Sequence, residues 1–158
     1  MTFAIIVVFG MYIYGNYLKE YIEVTKVYKV LRKVLESRDL LVLKLLPDIK
    51  KKKISEKILN LITDRNEKSK ISYDDAIIAD IALHNELRIL YEIIDKQDKN
   101  ELQEEIFKKI IAMEKKVKLL RKEYSKAVEK YNMSLTVHPK VCIKMLHMKP
   151  LEMYAAKE

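Results

Sequence analysis

Glycine and cysteine are almost missing from this chain. Of 158 residues, two are Gly, three Pro, one Cys and none Trp. Both glycines, Gly10 and Gly15, lie near the N-terminus, and none follows Asn16. A Rossmann turn, a P-loop and a nucleophile elbow each need glycine where the backbone turns tightly or approaches a ligand. Two-residue hairpins need it almost as much. The lone Cys142 excludes an internal disulfide and a Cys-rich zinc site. What remains is long helices joined by short polar turns, a composition that argues against most catalytic architectures.

Charge is plentiful and unbalanced, with 31 Lys and Arg against 23 Asp and Glu, a formal net charge of +8. The apolar share is 49%, enough to bury a core and too much for disorder. Residues 3–18, FAIIVVFGMYIYGNYL, contain no Asp, Glu, Lys, Arg or His. As a helix this run rises ~24 Å, slightly short of the ~30 Å hydrocarbon core. Tyr12, Tyr14, Tyr17 and Tyr21 crowd its end as aromatic residues do at a membrane interface, and Lys19 can snorkel outward. A cleaved signal peptide lacks its basic start and small-residue cleavage site here. A buried helix of a bundle competes with an uncleaved anchor. The anchor accounts for run, position and tyrosines together, so a single-pass transmembrane helix is expected over residues 1–18. Lys19, Lys26, Lys29, Arg32 and Lys33 follow the run and no base precedes it. The positive-inside rule then puts the body in the cytoplasm, at the cell membrane.

The body reads as about four helices over residues 19–137, followed by a short helix and tail over 138–158. The first carries Leu18, Tyr21, Ile22, Val24, Val27, Tyr28, Leu31, Val34 and Leu35 at mostly three- and four-residue steps, and should weaken near Ser37-Arg38-Asp39. A second spans about 40–66, with Pro47 favouring a start or kink and Ile54, Ile58, Leu61 and Ile62 on its apolar face. Ser72 reads as the N-cap of a third helix, with Asp74 and Asp75 in its first turn. Its apolar residues are Ile77, Ile78, Ile81, Leu87, Leu90, Tyr91 and Ile94, and it should end near Lys96-Gln97-Asp98. Asn100…Gln103 resembles a capping box for the fourth. There Leu102, Ile106, Ile110, Met113, Val117, Leu120, Tyr124, Val128, Tyr131 and Leu135 keep near-heptad spacing up to Pro139. Each stripe needs a partner, so an antiparallel all-α bundle is expected.

Candidate chemistry is sparse. A di-metal bundle needs inward carboxylates and two Glu-x-x-His pairs. His84, His138 and His147 have no Glu three residues before them. Asp80 and His84 share a face at i, i+4, a weak pair beside Asn85 and Glu86, so His84 reads as a surface or edge residue. His138 and Cys142 can approach on a short helix, without a third group or oxyanion donor. The run Lys50-Lys51-Lys52-Lys53, with Lys44 and Lys57, suits anionic lipid or nucleic acid, but no aromatics accompany it, and a solvated helix start is the plainer reading. Glu104-Lys108, Glu105-Lys109 and Glu114-Lys118 are i, i+4 pairs of the kind found on solvated faces. No catalytic, cofactor-binding or metal-binding residue is expected.

The C-terminal third has a pattern. Arg121, Tyr124, Tyr131 and Asn132 fit A-R-x-x-Y-N…V-x-x-Y-N, with Ser125 in place of the first Asn. His138-Pro139 is similar to a closing F-P, and residues 145–154, MLHMKPLEMY, to G-L-F-G-F-K-P-x-x-Y/F. Upstream, Arg38-Asp39-Leu40 and Leu45-Leu46-Pro47-Asp48 are similar to R-R-x-D-L-I-P-N-L. In these features the chain resembles the LemA family of bacterial membrane proteins. The resemblance implies an N-terminal membrane-spanning helix, an antiparallel helical domain and no reaction, cofactor or catalytic residue.

The expected protein is therefore a single-pass membrane-anchored helical bundle acting as a structural or protein-interaction module. Its partners would be membrane lipids, through the N-terminal helix, and other membrane-associated proteins, with no nucleic acid. The alternative is a membrane-surface adaptor that binds anionic lipid headgroups through basic residues.

Overall fold

The structure, a computed structural model, describes residues 2–49, 51–137, 143–144 and 147–154, with α1 side chains at Val8 and from Gly10 onward. Among these, every regular element is helical: α1 Thr2–Leu45, a 3-10 turn Leu46–Asp48, α2 Lys52–Lys68, α3 Tyr73–Asp95 and α4 Glu101–Val137. The protein is all-α, as composition required.

Local signals explain most boundaries. Ser72 is extended and its Oγ accepts from Asp75 N–H at 3.4 Å, with Asp74 and Asp75 facing the positive end of α3. The capping box closes both ways at α4: Gln103 N–H donates to Asn100 Oδ1 at 2.8 Å, and Asn100 N–H to Gln103 Oε1 at 3.0 Å. Lys99 Nζ donates to the carbonyls of Ile94 and Asp95, satisfying the last turn of α3.

The first helix departs from expectation. It runs 44 residues and does not weaken at Ser37-Arg38-Asp39. Those polar residues are no turn, because Arg38 and Asp39 point inward and are buried. Residues 40–45 thus belong to α1, not to the second helix, and only the turn containing Pro47 ends the run. Among the described residues no helix is long and apolar enough to cross a membrane. The apolar run of residues 3–18 is the beginning of α1, and its second half is engaged in protein packing. Ile13 is buried, and the Tyr17 ring lies 5.5 Å from that of Tyr131.

The chain divides into two compact units, Arg32–Leu119 and Met1–Leu31 with Leu120–Glu158. In Arg32–Leu119 the neighbours are antiparallel. Arg65 meets Asp39 while Ser55 meets Leu46, Lys57 meets Glu86, and Tyr91 packs on Phe107 while His84 approaches Glu114. Val42, Leu45, Ile58, Ile62, Leu83, Leu87, Leu90 and Ile110 form its apolar core. The predicted stripes hold with exceptions: Leu102, Ile78 and Ile81 are exposed, as are Leu18 and Ile22 on α1, while Ala76, Ala79 and Leu83 take buried places on α3.

In the other unit, Tyr28 packs on Tyr124 and Tyr17 on Tyr131, so the start of α1 runs antiparallel to the end of α4. The tail is strapped along α4. Asn132 both donates to Leu151 O and accepts from Leu151 N–H, each at 2.9 Å, and Tyr131 Oη donates to Lys149 O at 2.8 Å. The Tyr154 ring meets Tyr124 edge-on and receives the Arg121 guanidinium 5.1 Å from its centroid. Of the expected C-terminal helix, Ile143 and Lys144 are helical. His138 and Cys142 lie outside the described residues, as does Lys50. Met148 N–H donates to Ile143 O and His147 N–H to Lys144 O, the bond pattern of a Schellman motif. His147 sits there at φ 52°, a conformation that suits glycine.

His147→Gly should therefore stabilise the tail by about 1 kcal/mol, the order of the left-handed penalty for an L-residue. Denaturant titration followed by far-UV circular dichroism checks it, the unfolding midpoint moving upward.

Candidate functional site

Two features stand apart from ordinary core packing. The first is a buried ion cluster in Arg32–Leu119, contributed by all four helices. Arg38 on α1 is fully buried. Its Nε and Nη2 donate to Asp39 Oδ1 at 3.0 and 2.9 Å, Nη1 donates to Glu114 Oε1 at 3.2 Å, and Nη2 lies 3.5 Å from Asp80 Oδ1. Arg65 on α2 approaches Asp39 Oδ2 at 2.7 Å and Asp80 Oδ1 at 4.0 Å, and donates to Asn66 Oδ1 at 2.8 Å. Tyr91 Oη on α3 donates to Glu114 Oε1 at 2.9 Å, and His84 Nδ1 stands 3.9 Å from Glu114 Oε2.

Two guanidiniums thus meet the carboxylates of Asp39, Asp80 and Glu114 out of water. Burial pulls the Arg38 guanidinium toward its neutral form, but the fields of Asp39, Asp80 and Glu114 outweigh it and hold its pKa above the ordinary arginine value. Burial pushes the Asp39 carboxyl up against the pull of Arg38 and Arg65. It also raises the Tyr91 phenol, with the Glu114 charge adding to the effect.

Several residues differ from their sequence reading. Glu114 does not sit on a solvated face: its side chain is 16% exposed and engaged by Arg38 and Tyr91. Asp80 is buried in the cluster, and His84, 35% exposed, is at its edge, as an edge residue was expected to be. Among the described residues no group of three or more His, Cys, Asp or Glu is placed to hold a metal ion. A shallow cavity of about 460 Å³ is lined by Leu46–Ile49, Lys52, Ser55 and Glu56, and no member of the cluster faces it. The arrangement offers charge pairing between helices. Glu104 and Glu105 do form the expected surface pairs with Lys108 and Lys109 at 2.7 and 2.6 Å, which lower both carboxyls.

The second feature is the outward face of α1 within Met1–Leu31. Ile13, Tyr17, Val24 and Tyr28 turn toward protein. On the opposite side Val8, Met11, Leu18 and Ile22 are 67%, 69%, 38% and 44% exposed, with Gly15 exposed between them. Tyr12 and Tyr14 flank the stripe and are also exposed. The expected basic site is plainer. Lys51, Lys52 and Lys53 are exposed at the start of α2, the solvated helix start anticipated.

Arg38→Met strands Asp39, Asp80 and Glu114 around a lost cation, and should destabilise the protein by about 3–5 kcal/mol. Adding Asp80→Leu and Glu114→Gln, which leaves the Arg65–Asp39 pair balanced, should restore much of that loss in denaturant melts. A raised phenol stays protonated in the fold at pH values where the unfolded chain ionises it. Its contribution is therefore present below about pH 10 and lost above. Tyr91→Phe should accordingly flatten the fall of melting temperature on the alkaline side.

No protein-family model matches this chain, and neither a curated protein nor a solved structure does.

Proposed function

We propose that this chain is a membrane-attached helical protein that acts as a structural or protein-interaction module, without a reaction of its own. The observation that carries the reading is the apolar outward face of α1. Val8, Met11, Leu18 and Ile22 repeat at heptad spacing in water-accessible positions, in a segment with no charged residue before Lys19. A monomer seldom leaves such a stripe uncovered. Because the other side of the same helix is engaged by Tyr131 and its neighbours, the helix lies along a bilayer interface with one face immersed, rather than crossing as a bare rod. Exposed Tyr12 and Tyr14 suit headgroup depth.

The resemblance to the LemA proteins supports the same membrane setting. Its residues have structural work here: Arg121, Tyr124, Tyr131 and Asn132 hold the tail, and Arg38 and Asp39 belong to the ion cluster. A chain whose distinctive polar residues are spent on holding helices together is a scaffold, and its remaining outward surface is what partners can use.

The full chain should float with phospholipid vesicles in a density gradient, and Val8→Asp/Met11→Asp should not, with helical circular dichroism unchanged. Alkaline carbonate should release the bound protein, as befits an interfacial helix. Failure of the wild type to float, or equal flotation of the variant, would overturn the reading.

A further inference from the structure

We infer that the face of α1 that enters the membrane also carries a headgroup site for anionic phospholipid, made by Lys19, Lys26 and Lys29. This deepens the membrane reading and rests on it. An α-helix turns ~100° per residue. On that geometry the three lysines fall within roughly 60° of Ile22, on the side where Val8, Met11 and Leu18 are exposed. All three lysines are themselves exposed. Lys19 stands beside the last turn of the apolar stripe, between Leu18 and Ile22, while Lys26 and Lys29 follow it, and the three span ~15 Å of helix axis. Glu20 is half-buried toward the packed side, and Glu23, at the flank, lies 3.9 Å from Lys26 Nζ. The outward face therefore passes from wholly apolar to basic along one helix.

That sequence of surfaces is complementary to one partner, a bilayer whose interface bears negative charge. The apolar part finds acyl chains, and the lysine stems run back along apolar surface to place ammonium groups among phosphates. A second copy of this chain is a poorer occupant, because two such faces set side by side in parallel would oppose lysine with lysine. The run Lys51–Lys53 is also basic and exposed, but it belongs to α2 and continues no such apolar stripe. The geometry thus assigns the lipid-charge contact to α1 and leaves that run as a solvated helix start.

The experiment is vesicle flotation of the full chain on two compositions, pure phosphatidylcholine and phosphatidylcholine with phosphatidylglycerol. Each interfacial lysine should contribute about five-fold in partitioning to the anionic membrane. Lys19→Gln/Lys26→Gln/Lys29→Gln should then bind the anionic vesicles roughly a hundred-fold more weakly, and the neutral ones unchanged. Lys51→Gln/Lys52→Gln/Lys53→Gln should behave as wild type on both. Raising salt to about 1 M, where the screening length shrinks to ~3 Å, should bring wild-type binding on anionic vesicles down to the neutral level. Equal wild-type binding to both compositions at low salt overturns this inference and leaves the membrane reading standing. So does loss in the Lys51–Lys53 variant with retention in the α1 variant. Binding to neither composition defeats both, and a concentration-dependent dimer in its place assigns the stripe to a second copy.

Discussion

Arg38 is the residue on which the architecture of Arg32–Leu119 turns. A guanidinium removed from water costs several kcal/mol unless every donor is engaged and its charge is balanced. Arg38 meets that condition only if Asp39 turns the same way on its own helix and if α3 and α4 bring Asp80 and Glu114 within reach. Arg65 then brings α2 into the same account, since Asp39 Oδ2 and Asp80 need a second cation. Apolar stripes alone tolerate sliding by a turn, because Leu and Ile pack almost as well one position along. The ion cluster does not: a shift of ~5.4 Å along any axis would leave a buried charge without its partner. We read it as a device that fixes register and neighbour order. Net stability comes from the adjoining core of Val42, Ile58, Ile62, Leu83, Leu87, Leu90 and Ile110.

This explains where the sequence could be read and where it misled. Caps were legible because they are local: Ser72, Asn100 and Gln103 make their bonds within three residues. The α4 stripe was legible because nothing interrupts its spacing from Ile106 to Leu135. The middle of α1 was not. Ser37-Arg38-Asp39 has the composition of a turn, and only Arg38's partners 76 and 42 positions downstream, Glu114 and Asp80, make it helix core. A signal was nonetheless present. Arg38 continues Leu31 and Leu35 at steps of four and three, Arg65 continues Ile58 and Ile62 in the same way, and Asp80 stands between Ile77 and Leu83. Charged residues of both signs at core positions of separate helices mark a buried ion network. Weighing Asp80 against His84 alone, as a metal pair, hid that pattern.

The tail illustrates the converse. The residues of the C-terminal pattern have a physical role in the fold. Tyr131 and Asn132 satisfy backbone groups of Lys149 and Leu151 in a tail with no regular structure over 148–154, which would otherwise lie along a helix with unpaired carbonyls. Tyr124 and Arg121 grip Tyr154 between an edge and a cation. Among the described residues His147 alone adopts a left-handed backbone without being glycine, with a side chain that tolerates it poorly.

The two sides of α1 impose opposite demands on one stretch of sequence, and that conflict accounts for its composition. The inward side must pack on aromatic residues of α4, hence Ile13, Tyr17, Tyr21 and Tyr28. The outward side, in a protein that stayed in water, would carry Lys and Glu as α4 does at Glu104, Glu105, Lys108 and Lys109. Over residues 8–18 it carries none. A helix apolar on both sides for that distance, then basic outward, is the surface that the proposed bilayer contact would use: the inner side packs on α4, and the outer side is the one left for acyl chains.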